Sequence, residues 1–424
     1  MRIPNTQIVD PEKYKFKALT AAVLGYYFDG IDFVALSLAI PLLVAAWDIS
    51  LVSAGLLATS TLVGAALGAY IWGPISDKIG RKRALMWCLS WFGLMTALCG
   101  FCNNWEQLMV MRFITGLGLG GEWVCGAALV TEFFRPHQRA KASSLVMCAY
   151  SVGYLTLLGI QAWLVPIYGW RVLFFAGITT FICVIYTFFF VPESPAWLIM
   201  KQNQASGTDT AKADSAEKSG EGWQSLFKSP NRKALFLSIG LCACILVGYW
   251  GANAWLPAYL STVRNLDIKA LSYYLIVMNV CAIIGGLTWG TIADSIGRRW
   301  SFIIAGVLSA GIFAIYMNAT SPTMVMVCGA LFGLVCLGYW GPLPAFISEQ
   351  FPTHLRGAGT SIAYATGRLA AAIAPFVIGG ISGTRGLGFA MGLVSIVYLV
   401  GAVIPVFMKE TKNVEITEVV KKNS

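Results

Sequence analysis

The stretch Gly73-Pro-Ile-Ser-Asp77-Lys-Ile-Gly80-Arg81-Lys82-Arg83 recurs 217 positions later as Gly290-Thr-Ile-Ala-Asp294-Ser-Ile-Gly297-Arg298-Arg299. The same offset carries Glu132–Arg139 onto Glu349–Arg356, His137 onto His354 and Glu193 onto Glu410. One offset shared by separated landmarks marks an internal duplication. The repeat divides the chain into 1–200 and 234–424, with 201–233 between them. That middle segment is rich in Ser, Ala, Gly, Lys and Asp, cannot bury a core, and reads as a flexible linker.

Each copy is set in apolar sequence. Of the 424 residues 57% are hydrophobic and 12% charged, against about 25% charged in an ordinary soluble domain. A soluble protein so composed would expose apolar patches and aggregate. A helix spanning a bilayer needs about 20 apolar residues. Twelve stretches qualify: 18–46, 51–75, 84–103, 107–131, 142–166, 171–191, 234–260, 271–293, 300–319, 322–347, 357–381 and 386–408. The expected fold is all-α and membrane-integral, six spans in each half.

The net charge of +10 would elsewhere point to nucleic acid. Here the position of the charges decides. With the N-terminus inside, 24 of the 30 Lys and Arg residues fall in cytoplasmic segments and only Arg171, Arg264, Lys269 and Arg385 in outer loops. That is the distribution of a multi-pass protein with both termini cytoplasmic, and it excludes the nucleic-acid reading. Lys13, Lys15 and Lys17 precede an apolar run, Ala18 to Ala46, too long for a signal-peptide core. The eleven cysteines lie in apolar stretches without zinc-ligand spacing. No nucleophile–base pair or phosphate-cradling loop argues for an enzyme.

The repeated Gly-x-x-x-Asp-x-x-Gly-Arg-[Lys/Arg] loop, after spans two and eight, resembles the signature of the major facilitator superfamily. The resemblance covers nearly the whole chain. It implies two six-helix bundles around a central cavity, working by alternating access in a cell membrane, here a bacterial inner membrane. It also implies cytoplasmic clasps that gate the cavity: Asp77, Arg81, Glu132 and Arg139 in the first half, Asp294, Arg298, Glu349 and Arg356 in the second, with Glu193 and Glu410 beside them. Asp29-Gly-Ile-Asp32, Arg112-Phe-Ile-Thr-Gly-Leu-Gly-Leu-Gly-Gly-Glu122 and Gly367-Arg368 resemble aromatic-acid:proton symporters and nicotinate- and sialate-type carriers. Pro192-Glu-Ser-Pro-Ala-Trp197 is similar to sugar porters, except that Ala196 stands where those carry Arg. The Gly-x-x-x-Gly-Pro signature of drug:proton antiporters is missing from span five.

Five charged residues fall well inside spans: Asp29, Asp32, Arg112, Glu122 and Arg368. Each would cost about 2.5–3.5 kcal/mol at the bilayer centre, so they should face a cavity or one another. Asp29 and Asp32 are i, i+3 and share a helical face. Arg112 and Glu122 lie about 15 Å apart along one helix. Buried carboxylates bind protons more readily, and more so beside another carboxylate. Asp29, Asp32 and Glu122 are therefore the candidates for proton coupling, although one of them could instead be the permanent partner of Arg112. A guanidinium grips a carboxylate through two hydrogen bonds, which makes Arg368 the candidate anchor for an anionic substrate, unless it serves only to bond helix-end carbonyls. The first half's acids have no counterparts in the second: Asp29 maps to Leu246 and Asp32 to Tyr249. Tyr364 lies one turn before Arg368 on the same face. Arg112, Trp123, Tyr150, Tyr154, Gln161, Trp250, Asn253, Asn279 and Trp340 complete the candidate substrate-binding set.

The reading is a carrier that moves a small organic anion, an aromatic or sugar-acid carboxylate, with a proton. The alternative is a neutral sugar or polyol porter. Apart from the proton as coupling ion, no cofactor or metal is expected. The expected partners are the organic acid and the lipid bilayer, with the chain acting as a monomer.

Overall fold

The computed structural model describes residues 11–134, 136–205, 225–229, 231–351 and 355–411; most of the linker, Trp223 and His354 lie outside them. A few side chains inside helices are also outside the description, among them His137, Arg139 and Arg356. The chain divides into two compact units, Met1–Ala211 and Lys212–Ser424.

In the first unit α1 is Pro11–Trp47, α2 Leu51–Ile79, α3 Arg81–Cys99, α4 Trp105–Phe133 and α5 Pro136–Trp163. The helical run Arg171–Phe190 is α6, and Pro195–Ala205 is α7. The second unit holds α8 (Asn231–Thr262), α9 (Ile268–Ile296), α10 (Arg298–Asn318), the run α11 (Pro322–Glu349), α12 (Arg356–Arg385) and the run α13 (Leu387–Phe407). Among the described residues eleven helices are long and apolar enough to cross a membrane. The segment expected as span three is the helix α3, which is not one of the eleven. It opens on three consecutive basic residues, and they lower its apolar character. Two expected spans are not uniform α-helix. α6 contains a 3₁₀ stretch, Ala176–Thr180, and α11 widens to a π turn at Gly333–Leu337 before tightening at Gly338–Trp340.

The sequence starts its helices with polar caps. Ser50 accepts from the Ser53 N–H at 3.1 Å, Asn104 from Gln107 at 2.8 Å and Asp267 from Ala270 at 2.7 Å, satisfying donors that a helix N-terminus leaves orphaned. Gly80 and Gly297 turn α2 into α3 and α9 into α10 with φ of +104° and +103°, a conformation open to glycine without strain. Helices meet through small residues, as they do where lipid removes the hydrophobic incentive to associate. A Cβ on Gly68 would stand 2.1 Å from the Leu117 carbonyl oxygen of α4. On Gly285, 217 positions on, it would stand 2.1 Å from that of Leu334. Large apolar side chains such as Trp87, Ile182, Phe189, Leu287 and Ile396 are exposed on the helices, as a lipid-facing surface requires.

Candidate functional site

The first unit buries an ion pair. Arg112 of α4 donates from both terminal nitrogens to the two carboxylate oxygens of Asp32 on α1, each at 2.9 Å. Arg112 is 0% and Asp32 1% exposed. The third guanidinium direction is also taken, because Nε donates to Thr61 Oγ1 on α2 at 3.1 Å. From α3 the Thr96 hydroxyl bonds Asp32 Oδ1. Four helices thus converge on one pair, which is how a buried pair escapes the penalty of unmet hydrogen bonds. Of the three candidate acids, Asp32 is the one placed against Arg112.

The other two acids are buried as well, Asp29 at 6% and Glu122 at 1% exposure. Glu122 Oε1 lies 2.6 Å from where a Cβ on Gly25 of α1 would stand, so glycine at 25 gives that carboxylate room against α1. Positions 25, 29 and 32 follow at i, i+4 and i+7, one face of α1. Glu122, Asp29 and Asp32 therefore mark successive levels along this helix. Beside them Tyr26 of α1 lies 5.5 Å from Trp123 and 5.7 Å from Tyr150, ring centre to ring centre. Tyr154 and Gln161, both on α5, are buried.

In the second unit Arg368 on α12 is 9% exposed. Among the described residues of its own unit no carboxylate pairs with it. The described acids there, Asp267, Asp294, Glu349 and Glu410, all lie at or beyond helix ends. Tyr364, one turn earlier, is half-buried. Tyr249 brings Trp250 (5.2 Å) and Trp340 (4.7 Å) together. Trp340, in the tightened part of α11, lies 217 positions after Trp123, so each unit has one of a related pair of tryptophans in an aromatic cluster. Asn253 and Asn279 donate their amides to the Tyr249 and Leu275 carbonyls of their own helices, which leaves each Oδ1 to accept.

The clasps close twice, each within its own unit. Arg81 Nε donates to Glu132 at 3.1 Å and Arg298 Nε to Glu349 at 2.8 Å. Asp77 and Asp294 take the same arginines one turn away. The Ser194 hydroxyl bonds Glu132, and that of Thr411 bonds Glu349. The Lys82 and Arg298 amides donate to Glu193 and Glu410, both at 2.9 Å. Burial pushes the Lys82 ammonium below the usual lysine value against the pull of Glu193. For Arg81 burial works in the same direction, but its bonds to Asp77 and Glu132 outweigh it and raise the guanidinium. The side chains of Arg139 and Arg356, expected in these clasps, lie outside the described residues.

Sequence reading missed Thr61 and Thr96, since a threonine in an apolar helix carries no spacing signal. It also missed Ser194 and Thr411. The shared offset could have found those two, as each directly follows Glu193 or Glu410. Among the described residues no group of three or more His, Cys, Asp or Glu is placed to hold a metal.

Residues 22–288 and 277–422 match the Major Facilitator Superfamily. The chain belongs to that family. It is a multi-pass membrane transporter and not an enzyme. It is 29% identical over 395 residues to the cis,cis-muconate transport protein of Acinetobacter baylyi, covering 93% of this chain and 94% of that one. To the sialic acid transporter NanX of Escherichia coli it is 29% identical over 397 residues, covering 92% and 93%. Its fold is similar to that of the xylose transporter XylE of E. coli, whose solved structure is inward-open, with a TM-score of 0.76 at 21% identity over 96% of this chain and 99% of that one.

Proposed function

We propose that the protein carries a small organic acid, as its anion, together with a proton into the cell. The observation that carries this reading is Arg368, a buried cation in the middle of a span with, among the described residues, no acid of its own unit paired with it. An intramembrane charge needs a partner, and a substrate carboxylate supplies one through two parallel hydrogen bonds. Arg112, also a candidate for substrate, is already filled by Asp32 and Thr61. Protonation of Asp32 would weaken that pairing by removing its charge. Asp32, Asp29 and Glu122 are the groups proposed to carry that proton. Muconate, sialic acid and niacin, which give several relatives their names, are all carboxylic acids. The likeness to XylE supports the fold and does not extend to a sugar.

A thermal-shift screen of the purified protein against benzoate, nicotinate, muconate, sialate and xylose at two pH values tests this. At least one carboxylate should stabilise the wild type, and Arg368→Gln should lose that shift by tenfold or more in ligand concentration. Stabilisation by xylose with no response to any carboxylate would overturn the anion reading.

A further inference from the structure

Thr96 sits against one carboxylate oxygen of the buried pair. Its hydroxyl has two acceptors in reach: Asp32 Oδ1 on α1 and, at 2.7 Å, the carbonyl oxygen of Phe92 one turn back on its own helix. A hydroxyl has one proton to give and lone pairs to receive, so it can serve only one of these acceptors at a time. Thr61 differs. Its proton goes to Leu57 O at 3.1 Å and its lone pair to Arg112 Nε, an arrangement that no change at Asp32 disturbs.

We infer that Thr96 is a positioning residue for proton coupling, a hydroxyl that turns between Asp32 and the Phe92 carbonyl as Asp32 loses and gains its proton. This rests on the reading that Asp32 is a proton site. With Asp32 ionised, Thr96 donates to Oδ1. When a proton from water binds that oxygen, the new acid O–H donates to Thr96 Oγ1, and the Thr96 proton swings to Phe92 O. Release to water reverses each step, and no heavy atom needs to move. Arg112 keeps Thr61 throughout, and Thr96 Oγ1 and Asp32 Oδ1 each keep a hydrogen bond in both states.

The surroundings suit a switch confined to this pair. Arg112 of α4 and Cys99 of α3 face Asp32, and Asp29 lies one turn away on its own helix. α2 contributes the uncharged Thr61. α5 between 145 and 163 and α6 between 172 and 190 hold no charged residue, and their titratable groups are Cys148, Tyr150, Tyr154, Cys183 and Tyr186. Thr96 is fully buried.

Infrared difference spectroscopy of the full-length protein in lipid, titrated with acid and without substrate, reads the carboxylic C=O band directly. Wild type should show a band that Asp32→Asn removes. Thr96→Val, and Thr96→Ala as a second removal of the hydroxyl, should move the band to higher frequency as the acid loses its acceptor. Both should also displace its titration midpoint by about one pH unit, and Thr96→Ser should restore wild-type behaviour. If wild type has no Asp32-dependent band, the proton-site reading fails and this inference with it. If the band exists and neither removal alters it, Asp32 remains the proton site and the role of Thr96 is wrong.

Discussion

The two units are copies at one end and unlike in the middle. Where α2 meets α3 and α9 meets α10, positive-φ glycines, arginine–glutamate pairs and hydroxyls recur at matched positions. Mid-helix the match fails. Asp32, Thr61, Thr96, Cys99 and Arg112 correspond at the offset of 217 to Tyr249, Met278, Phe313, Tyr316 and Gly329. The volume that Arg112 fills in the first unit is taken in the second by the Tyr316 phenol, whose oxygen lies 3.1 Å from where a Cβ on Gly329 would stand. Phe313 and Phe332 pack on that ring at 6.5 and 6.3 Å. One unit thus encloses a hydrogen-bonded charge pair where the other encloses aromatic rings. A buried ion pair is weak evidence for stability, since well-packed apolar groups often do as well. Among the described residues the second unit closes without one, and under the proposed function the pair in the first serves proton coupling.

The comparison breaks if the pair proves dispensable. Arg112→Ala leaves Asp32 buried and unpaired, and should lower unfolding free energy by about 3–5 kcal/mol, read as a large fall in melting temperature. The double variant Asp32→Leu with Arg112→Met, which replaces the charge pair by apolar side chains, should recover most of that loss while abolishing proton-driven uptake. A double variant that still accumulates substrate against a gradient would remove the functional explanation for the asymmetry.

A smaller effect tests the shared packing. Gly68→Ala and Gly285→Ala each force a methyl onto a facing carbonyl and should cost about 1–3 kcal/mol apiece. Gly286→Ala meets nothing within 4 Å and should be near neutral in the same melting assay. Unequal losses at 68 and 285 would show that the two interfaces are equivalent in form only.

The smallest effect concerns the clasps. Asp77 and Asp294 are 61% and 70% exposed, so Asp77→Asn and Asp294→Asn should each cost at most about 1 kcal/mol. Glu132→Gln and Glu349→Gln, whose acids also hold a hydroxyl, should cost more than their aspartate neighbours. The reverse order in melting temperature would mean that the exposed aspartates carry the clasp.

The sequence by itself determined the duplication, the membrane helices and the buried charges, because each rests on composition or periodic spacing along one chain. The offset of 217 made Glu132 and Glu349 partners of one kind before any contact was known. Asp29, Asp32, Arg112, Glu122 and Arg368 stood out because charge inside apolar sequence is costly wherever the chain goes. Which acid Arg112 takes was beyond that reading, since Asp29, Asp32 and Glu122 are alike in type and setting. Tertiary structure decided it by setting four helices so that both oxygens of Asp32 and the hydroxyl of Thr61 close around one guanidinium, while Thr96 holds Asp32 from α3. It decided equally that each clasp closes within its own unit. A hydrogen bond depends on ångström placement between helices, and nothing in the order of residues along one of them specifies that.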